Sequence, residues 1–317
     1  MTYVDIFVII IDMTKLRVSV AGLGRLGSIH ANIYSRLPNV ELVGICDIDE
    51  NIARNIGESL KTPFCADFKA LLKNNPDAVS IVTPTILHYE IAKFFLQRNV
   101  HVLIEKPITK TLKEAEELIK IADKNKLLIQ VGHVERFNSA IQAIEKLSNK
   151  PRFIECHRLG PFSPRVKDVG VVLDLMIHDI DIVLGLTKSK VQNIDAIGMK
   201  ILTDHEDIAN ARLRFKNGTV CDLTASRVTD DTMRKIRIFQ DDCYISLDYI
   251  KQEAIISRKI NNQITSENID IKKEAPLEKE LSSFADCILN KKRPVVSGKE
   301  GYEALKIALQ ILRKIKK

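Results

Sequence analysis

The feature that most constrains this chain is an alternation. Between residues 16 and 132, short β-branched runs take turns with stretches of helical periodicity. Strand-like segments fall at 16–22 (LRVSVAG), 41–47 (ELVGICD), 78–83 (AVSIVT), 100–105 (VHVLIE) and 127–132 (LLIQVG). Helical patterns at 25–37, 50–60, 86–98 and 111–125 separate them. Near-continuous apolar runs of this length suit strands covered on both faces, as in parallel sheets. Parallel neighbours need a crossover, which is normally a right-handed helical connection. The first half is therefore predicted to be an α/β unit with one doubly wound parallel sheet.

After about residue 150 the rhythm changes. Strand-like runs follow one another at 152–159, 191–199, 208–215, 219–228, 234–240 and 243–249, and the Asn-Gly pair in 216-KNGT-219 suits a hairpin turn. Helical patterns around 277–290 and 299–315 end the chain. The second half is predicted to be α+β with a largely antiparallel open sheet. At 317 residues there is room for two domains of ordinary size. We place the first at 15–135 and the second, for substrate binding and oligomerisation, at 136–317. Residues 1–14 form an extension, whose apolar run IFVIII is too short to span a bilayer.

Composition narrows the partners. Lys+Arg 48 against Asp+Glu 41 gives +7, an excess too mild and scattered for a nucleic-acid surface. It is compatible with a small anionic substrate, such as one bearing phosphates. The dense basic run 313-RKIKK-317 fits a helix C-terminus. Six cysteines form no C-x-x-C pair and complete no zinc spacing with histidine, so no metal site is expected. Reduced thiols in a cytoplasmic protein, with no membrane or nucleic-acid partner, are the expectation.

The first chemical motif is 22-GLGRLG-27, a G-x-G-x-x-G placed between a predicted strand and a predicted helix. An acid, Asp47, ends the next strand twenty residues past Gly27. In a Rossmann dinucleotide-binding unit, Gly22 makes the tight turn, Gly24 lets the backbone approach a pyrophosphate, and Gly27 lets helix and strand pack closely. The helix N-terminus at Arg25, Leu26 and Gly27 then offers free N–H groups to phosphates. Asp47 accepts hydrogen bonds from ribose hydroxyls and repels a 2′-phosphate, and Ile48 supplies no cation to hold one. NAD is therefore expected as cofactor over NADP. The competing reading is a glycine turn in a domain that binds no nucleotide.

Two further segments stand out. In 104-IEKP-107, Glu105 and Lys106 close a strand, where ligands of such sheets bind. In 174-DLMIHDID-181, three acids and a histidine interrupt an apolar run. On a helix, Asp174, His178 and Asp181 fall at i, i+4 and i+7, a single polar stripe opposite Leu175, Met176, Ile180 and Val183. Read alone, that stripe serves equally as a helix staple or as catalytic machinery.

Together with 20-VAGLGRLGSIH-30 and 82-VTPTILHYEIA-92, these segments make the chain resemble the Gfo/Idh/MocA family of nicotinamide-dependent sugar and cyclitol oxidoreductases, from residue 15 to the end. The resemblance implies that Lys106 meets a D-x-x-x-H helix from the second domain across the nicotinamide. It makes Lys106, Asp174 and His178 catalytic and substrate-binding. It adds Thr83, Pro84, His88 and Glu105 to the cofactor site. Alcohol oxidation by hydride transfer follows, with His178 as the first choice of proton acceptor because its ordinary pKa lies near neutrality. Which of Lys106 and His178 takes the proton stays open.

The segments 131-VGHVERFNSA-140 and 158-RLGPFSPRVKDVG-170 resemble the branch acting on nucleotide-linked amino sugars, which makes 3-keto sugars for diamino-sugar lipid A. On that reading His133, Arg136 and Asn138 contact substrate, where a helix-start cap is the alternative, and Arg158, Arg165 and Lys167 clamp a pyrophosphate, where ordinary solvated charges are the alternative. A free sugar or cyclitol is the alternative substrate, and a non-catalytic cofactor-binding regulator the alternative class. The resemblance also implies a homodimer or homotetramer formed through the open sheet face.

Overall fold

The computed structural model describes residues 15–163 and 169–315. Its first sheet holds β1 (Leu16–Ala21), β2 (Val40–Cys46), β3 (Phe64–Cys65), β4 (Ala78–Ile81), β5 (His101–Glu105) and β6 (Ile129–Gly132). The spatial order is β3-β2-β1-β4-β5-β6, and every pair is parallel. This is the Rossmann order, with its switch point between β1 and β4. Burial explains the sequence signal, because Val79, Ile81, Val102 and Ile104 are completely enclosed. Each such side chain stabilises the fold by roughly 1.5–3 kcal/mol.

Helices α1 (Arg25–Tyr34), α2 (Glu50–Leu60), α3 (Thr85–Leu96) and α4 (Leu112–Asn125) supply the crossovers. Local chemistry fixes their ends. The Asp49 carboxylate accepts from Asn51 N at 2.9 Å and Ile52 N at 3.3 Å. At α4, Thr111 Oγ1 accepts from Glu114 N at 3.3 Å while Glu114 Oε2 accepts from Thr111 N at 2.9 Å, a reciprocal capping box.

Beyond β6 come a 3-10 turn (Val134–Phe137) and α5 (Ser139–Leu147), a helix absent from the expected elements. The second sheet then contains β7 (Phe153–Leu159), β8 (Val191–Met199), β9 (Ile208–Phe215), β10 (Val220–Ser226), β11 (Met233–Phe239), β12 (Cys243–Asp248), β13 (Glu253–Ile260) and β14 (Gln263–Asn268). Its order is β14-β13-β12-β11-β7-β10-β9-β8, antiparallel except for β7 beside β10. Strands β13 and β14 escaped the sequence reading because β14 is exposed along its whole length and carries no alternation.

One face of this sheet packs on α6 (Ile177–Thr187) and α8 (Gly298–Ile315). Along β9, Ala209, Ala211, Leu213 and Phe215 are buried, while Asn210, Arg212 and Arg214 point outward. The outer face is open, and carries the pairs Arg212–Asp222 and Arg237–Glu155.

The last two helices return to the first unit. Leu281, Phe284 and Ala285 of α7 (Pro276–Leu289) share a core with β1 and α1. Val296 and Leu305 join the core under β4, β5 and α3.

Candidate active site

The cofactor side is built from backbone. Gly22 ends β1 at φ +90°, and a Cβ there would stand 2.5 Å from the Val82 carbonyl oxygen. A Cβ on Gly27 would collide with the Gly22 carbonyl, so glycine is required for α1 to approach β1. A Cβ on Gly24 would meet nothing within 4 Å, leaving the space in front of the α1 N-terminus open. No side chain caps that terminus. The first-turn N–H groups of Arg25, Leu26 and Gly27 have no intrahelical acceptor and face an anion's requirements.

Asp47 stands beside this opening. Its Oδ2 accepts from Leu23 N at 2.6 Å and its Oδ1 from Asp49 N at 3.0 Å. Ile48 is 92% exposed. The fixed carboxylate and the absent cation fit a ribose with a free 2′-hydroxyl. These residues fit NAD as their ligand.

On the other flank, Pro84 caps α3 and the Thr83 hydroxyl is buried without a protein partner. His88 is buried, with Nδ1 2.9 Å from the Pro107 carbonyl oxygen and Nε2 2.8 Å from that of Thr83. Burial lowers its pKa although both carbonyls favour its proton. The ring thus ties the loop after β4 to the loop after β5. Glu105 is also buried, with Oε2 accepting from Lys106 N at 3.2 Å and Oε1 3.5 Å from His30 Nε2. Both His88 and Glu105, expected as cofactor contacts, are engaged by protein atoms that shape the Glu-Lys-Pro loop.

Lys106 crosses to the second unit. Its Nζ donates to the Asp174 carbonyl at 2.8 Å and to Asp174 Oδ1 at 3.0 Å. Both side chains remain partly open to solvent. Asp174 lies in a π-helical turn (Val172–Met176) that runs directly into α6, and His178 follows in the first turn of α6. His178 Nδ1 is buried without a partner. Burial pushes its pKa well down, helped by the positive charges of Lys106 and Arg158. The imidazole is therefore neutral at physiological pH, with Nδ1 unengaged by protein.

The wider π turn changes the expected stripe, because it rotates the residues after it relative to those before. Asp174 and His178 stay at the cleft. Asp181 does not: it is buried 3.7 Å from Arg136 Nε, and burial pushes it up to about 7. Leu175, expected opposite the stripe, lines the cleft beside Asp174.

Of the expected substrate cations, Arg136 is turned inside, 3.0 Å from Glu145 and packed against Gly185. Arg158 is buried as well. It donates to Asp179 at 3.1 and 2.9 Å and to Glu135 at 2.9 Å, with its guanidinium over the Tyr249 ring. Two carboxylates take three of its five N–H donors and neutralise its charge inside the protein, so it is held as an internal ion pair rather than presented as a free cation. Arg165 and Lys167 lie outside the described residues. Asn138 caps α5, its Oδ1 accepting from Ala140 N at 3.0 Å.

His133 was expected near the substrate, and Arg234 goes beyond the sequence reading. His133, at the end of β6, is buried with both ring nitrogens unpartnered, its ring 6.0 Å from that of His178 and at right angles to it. Arg234 opens onto the cleft from β11. The sequence signal for His133 was its place after the last parallel strand; nothing in the sequence marked Arg234. Among the described residues no His, Cys, Asp or Glu cluster could hold a metal, and the six cysteines are unpaired.

These features match known proteins. The oxidoreductase family with an NAD-binding Rossmann fold matches residues 16–133, and the GFO/IDH/MocA C-terminal domain matches residues 150–245. A UDP-N-acetylglucosamine 3-dehydrogenase from Acidithiobacillus ferrooxidans is 36% identical over 306 residues, covering 94% of this chain and 97% of that protein. A solved structure of UDP-N-acetylglucosamine 3-dehydrogenase from that organism superposes with a TM-score of 0.91, covering 95% and 98% of the two chains. A myo-inositol 2-dehydrogenase from Thermotoga maritima is 26% identical over 313 residues, covering 92% and 93%. With the glycine loop, the Lys106–Asp174 contact and His178 in place, the chain belongs to the Gfo/Idh/MocA family of NAD-binding oxidoreductases.

Proposed function

We propose that this protein oxidises a secondary hydroxyl of a sugar to a ketone, and that its substrate is UDP-N-acetylglucosamine, oxidised at carbon 3. One observation carries the reaction: Lys106, from the Glu-Lys-Pro loop of the first unit, reaches Asp174 of the second at 2.8 and 3.0 Å, with His178 one turn on. The substrate is supported by the relative that is 36% identical over nearly the whole chain.

Bound NAD supplies the hydride acceptor. The first turn of α1 and Gly24 would hold its phosphates, Asp47 its ribose, and Thr83 and Pro84 the nicotinamide end. Substrate binding frees Lys106 Nζ from the Asp174 carbonyl, and the ammonium hydrogen-bonds the reacting oxygen. That bond favours the negative charge that develops there. His178, neutral in the resting enzyme, takes the hydroxyl proton. Asp174 Oδ1 keeps Lys106 aimed. The open outer face of the second sheet supports assembly as a homodimer or homotetramer, and six unpaired cysteines support a cytoplasmic location.

The test is a panel of UDP-sugars, free sugars and inositols with NAD and NADP, followed by absorbance of the reduced cofactor. UDP-N-acetylglucosamine with NAD should give the highest kcat/KM. Turnover of inositols without UDP-sugars would replace the substrate. Cofactor binding with no turnover of any substrate would make the protein a non-catalytic regulator.

A further inference from the structure

We infer that Arg234 anchors the substrate's diphosphate in a pocket on the flank of Asp174, and so decides between nucleotide-linked and free sugars. The inference rests on the proposed UDP-sugar substrate.

A cavity of about 200 Å³ opens beside Asp174 and Leu175, lined by Arg158, Arg227, Arg234 and the hydroxyls of Ser163 and Thr232. Three guanidinium groups around one small cavity would be costly without anions. Two of them have anions. Arg158 is neutralised by Asp179 and Glu135. Arg227 donates to Asp207 Oδ1 at 2.7 Å, to the Val169 carbonyl at 2.7 Å and to Thr203 Oγ1 at 2.8 Å. Arg234 pairs with no carboxylate among the described residues.

Register shows where Arg234 points. It stands opposite Arg158 in the β11–β7 pair, and side chains directly opposite share a face of the sheet. Ile236 and Ile238, two and four residues on, are completely buried on that face. Arg234 therefore belongs to the inner face. It stays exposed because it sits at the start of the strand, where the packed layer gives way to the cavity. Its charge is felt by both His178 and Asp179.

The chemistry agrees with this placement. With carbon 3 beside His178 and Asp174, a group on carbon 1 lies one sugar ring away, and the cavity begins at Asp174 itself. A guanidinium grips phosphate oxygens through parallel N–H donors, which an ammonium does not reproduce. A free sugar offers that group no anion.

The test compares wild type, Arg234→Gln and Arg234→Lys. UDP binding is measured by calorimetry, steady-state kinetics with UDP-N-acetylglucosamine, and NAD binding as a control for an intact fold. Arg234→Gln should weaken UDP and raise KM by about 10- to 100-fold, with the larger effect on KM rather than kcat. Arg234→Lys should recover only part of the loss. If the wild type turns over the UDP-sugar and Arg234→Gln keeps its KM and UDP affinity within about twofold, the assignment of Arg234 is wrong and the substrate stands. If the wild type neither binds UDP nor turns over UDP-sugars, the substrate reading itself fails. Should Arg234→Gln lose NAD binding, Arg234→Lys decides, and an unchanged KM in that variant overturns the inference.

Discussion

Replacing His133 by leucine should make the protein less sensitive to acid. The imidazole is buried, makes no hydrogen bond with the protein, and lies near Lys106 and Arg136. Burial, aided by those charges, pushes its pKa from the ordinary 6.5 down to about 3. Between those values the unfolded chain holds a proton that the folded protein refuses. The stability His133 leaves intact above 6.5 is therefore lost progressively as pH falls toward about 3. At about 1.36 kcal/mol per pH unit, a drop to about pH 4.5 removes about 2.7 kcal/mol. Asp181 acts in the opposite sense. Its pKa is raised from 3.8 to about 7, so its contribution weakens as pH rises through that window. Asp181 is common to both proteins and cancels in their difference. Urea unfolding followed by circular dichroism suits a chain without tryptophan. Between about pH 7 and about pH 4.5, the stability of His133→Leu relative to wild type should rise by about 2.7 kcal/mol. A difference that is the same at both pH values would refute the reasoning, because it would mean that His133 is protonated in the fold or exposed to water.

Lys106→Met should lower kcat by about 100- to 1,000-fold while NAD binding, read by calorimetry, persists. Because burial holds the His178 pKa low, kcat/KM should stay level through about pH 6.5 and fall only in stronger acid; an acid limb centred at the ordinary histidine value would remove His178 as the base. Asp47→Ser combined with Ile48→Arg should shift coenzyme preference toward NADP by about tenfold or more in kcat/KM, since the exposed position 48 has room for a guanidinium. Arg158→Leu should destabilise the fold by about 3–5 kcal/mol in urea unfolding, because Asp179 and Glu135 lose their shared partner inside the protein.

The parallel sheet was legible because its strands are enclosed on both sides and so spell themselves as apolar runs. The glycine loop was legible because its spacing is set by contacts within a few residues of it. Strand β14 was invisible because all six of its residues face solvent. The ion pairs of Arg158 were illegible for a different reason. Its partners Glu135 and Asp179 are 23 and 21 residues away on separate elements, and spacing carries no trace of such pairs. The stripe keeps Asp174 and His178 together near Lys106 and breaks at Asp181, because a π turn changes the period that the extrapolation assumed. Arg234 shows the same limit, since only strand register sets it on the inner face above a cavity.

The return of α7 and α8 to the first unit has a consequence for biosynthesis. Leu281, Phe284, Val296 and Leu305 complete cores that β1 to β6 begin. A nascent chain that has released only its first 135 residues lacks the side chains that close those cores. The dinucleotide-binding half should therefore mature last, once the final helices leave the ribosome, although it is made first. A premature stop before residue 276 should cripple both halves rather than one.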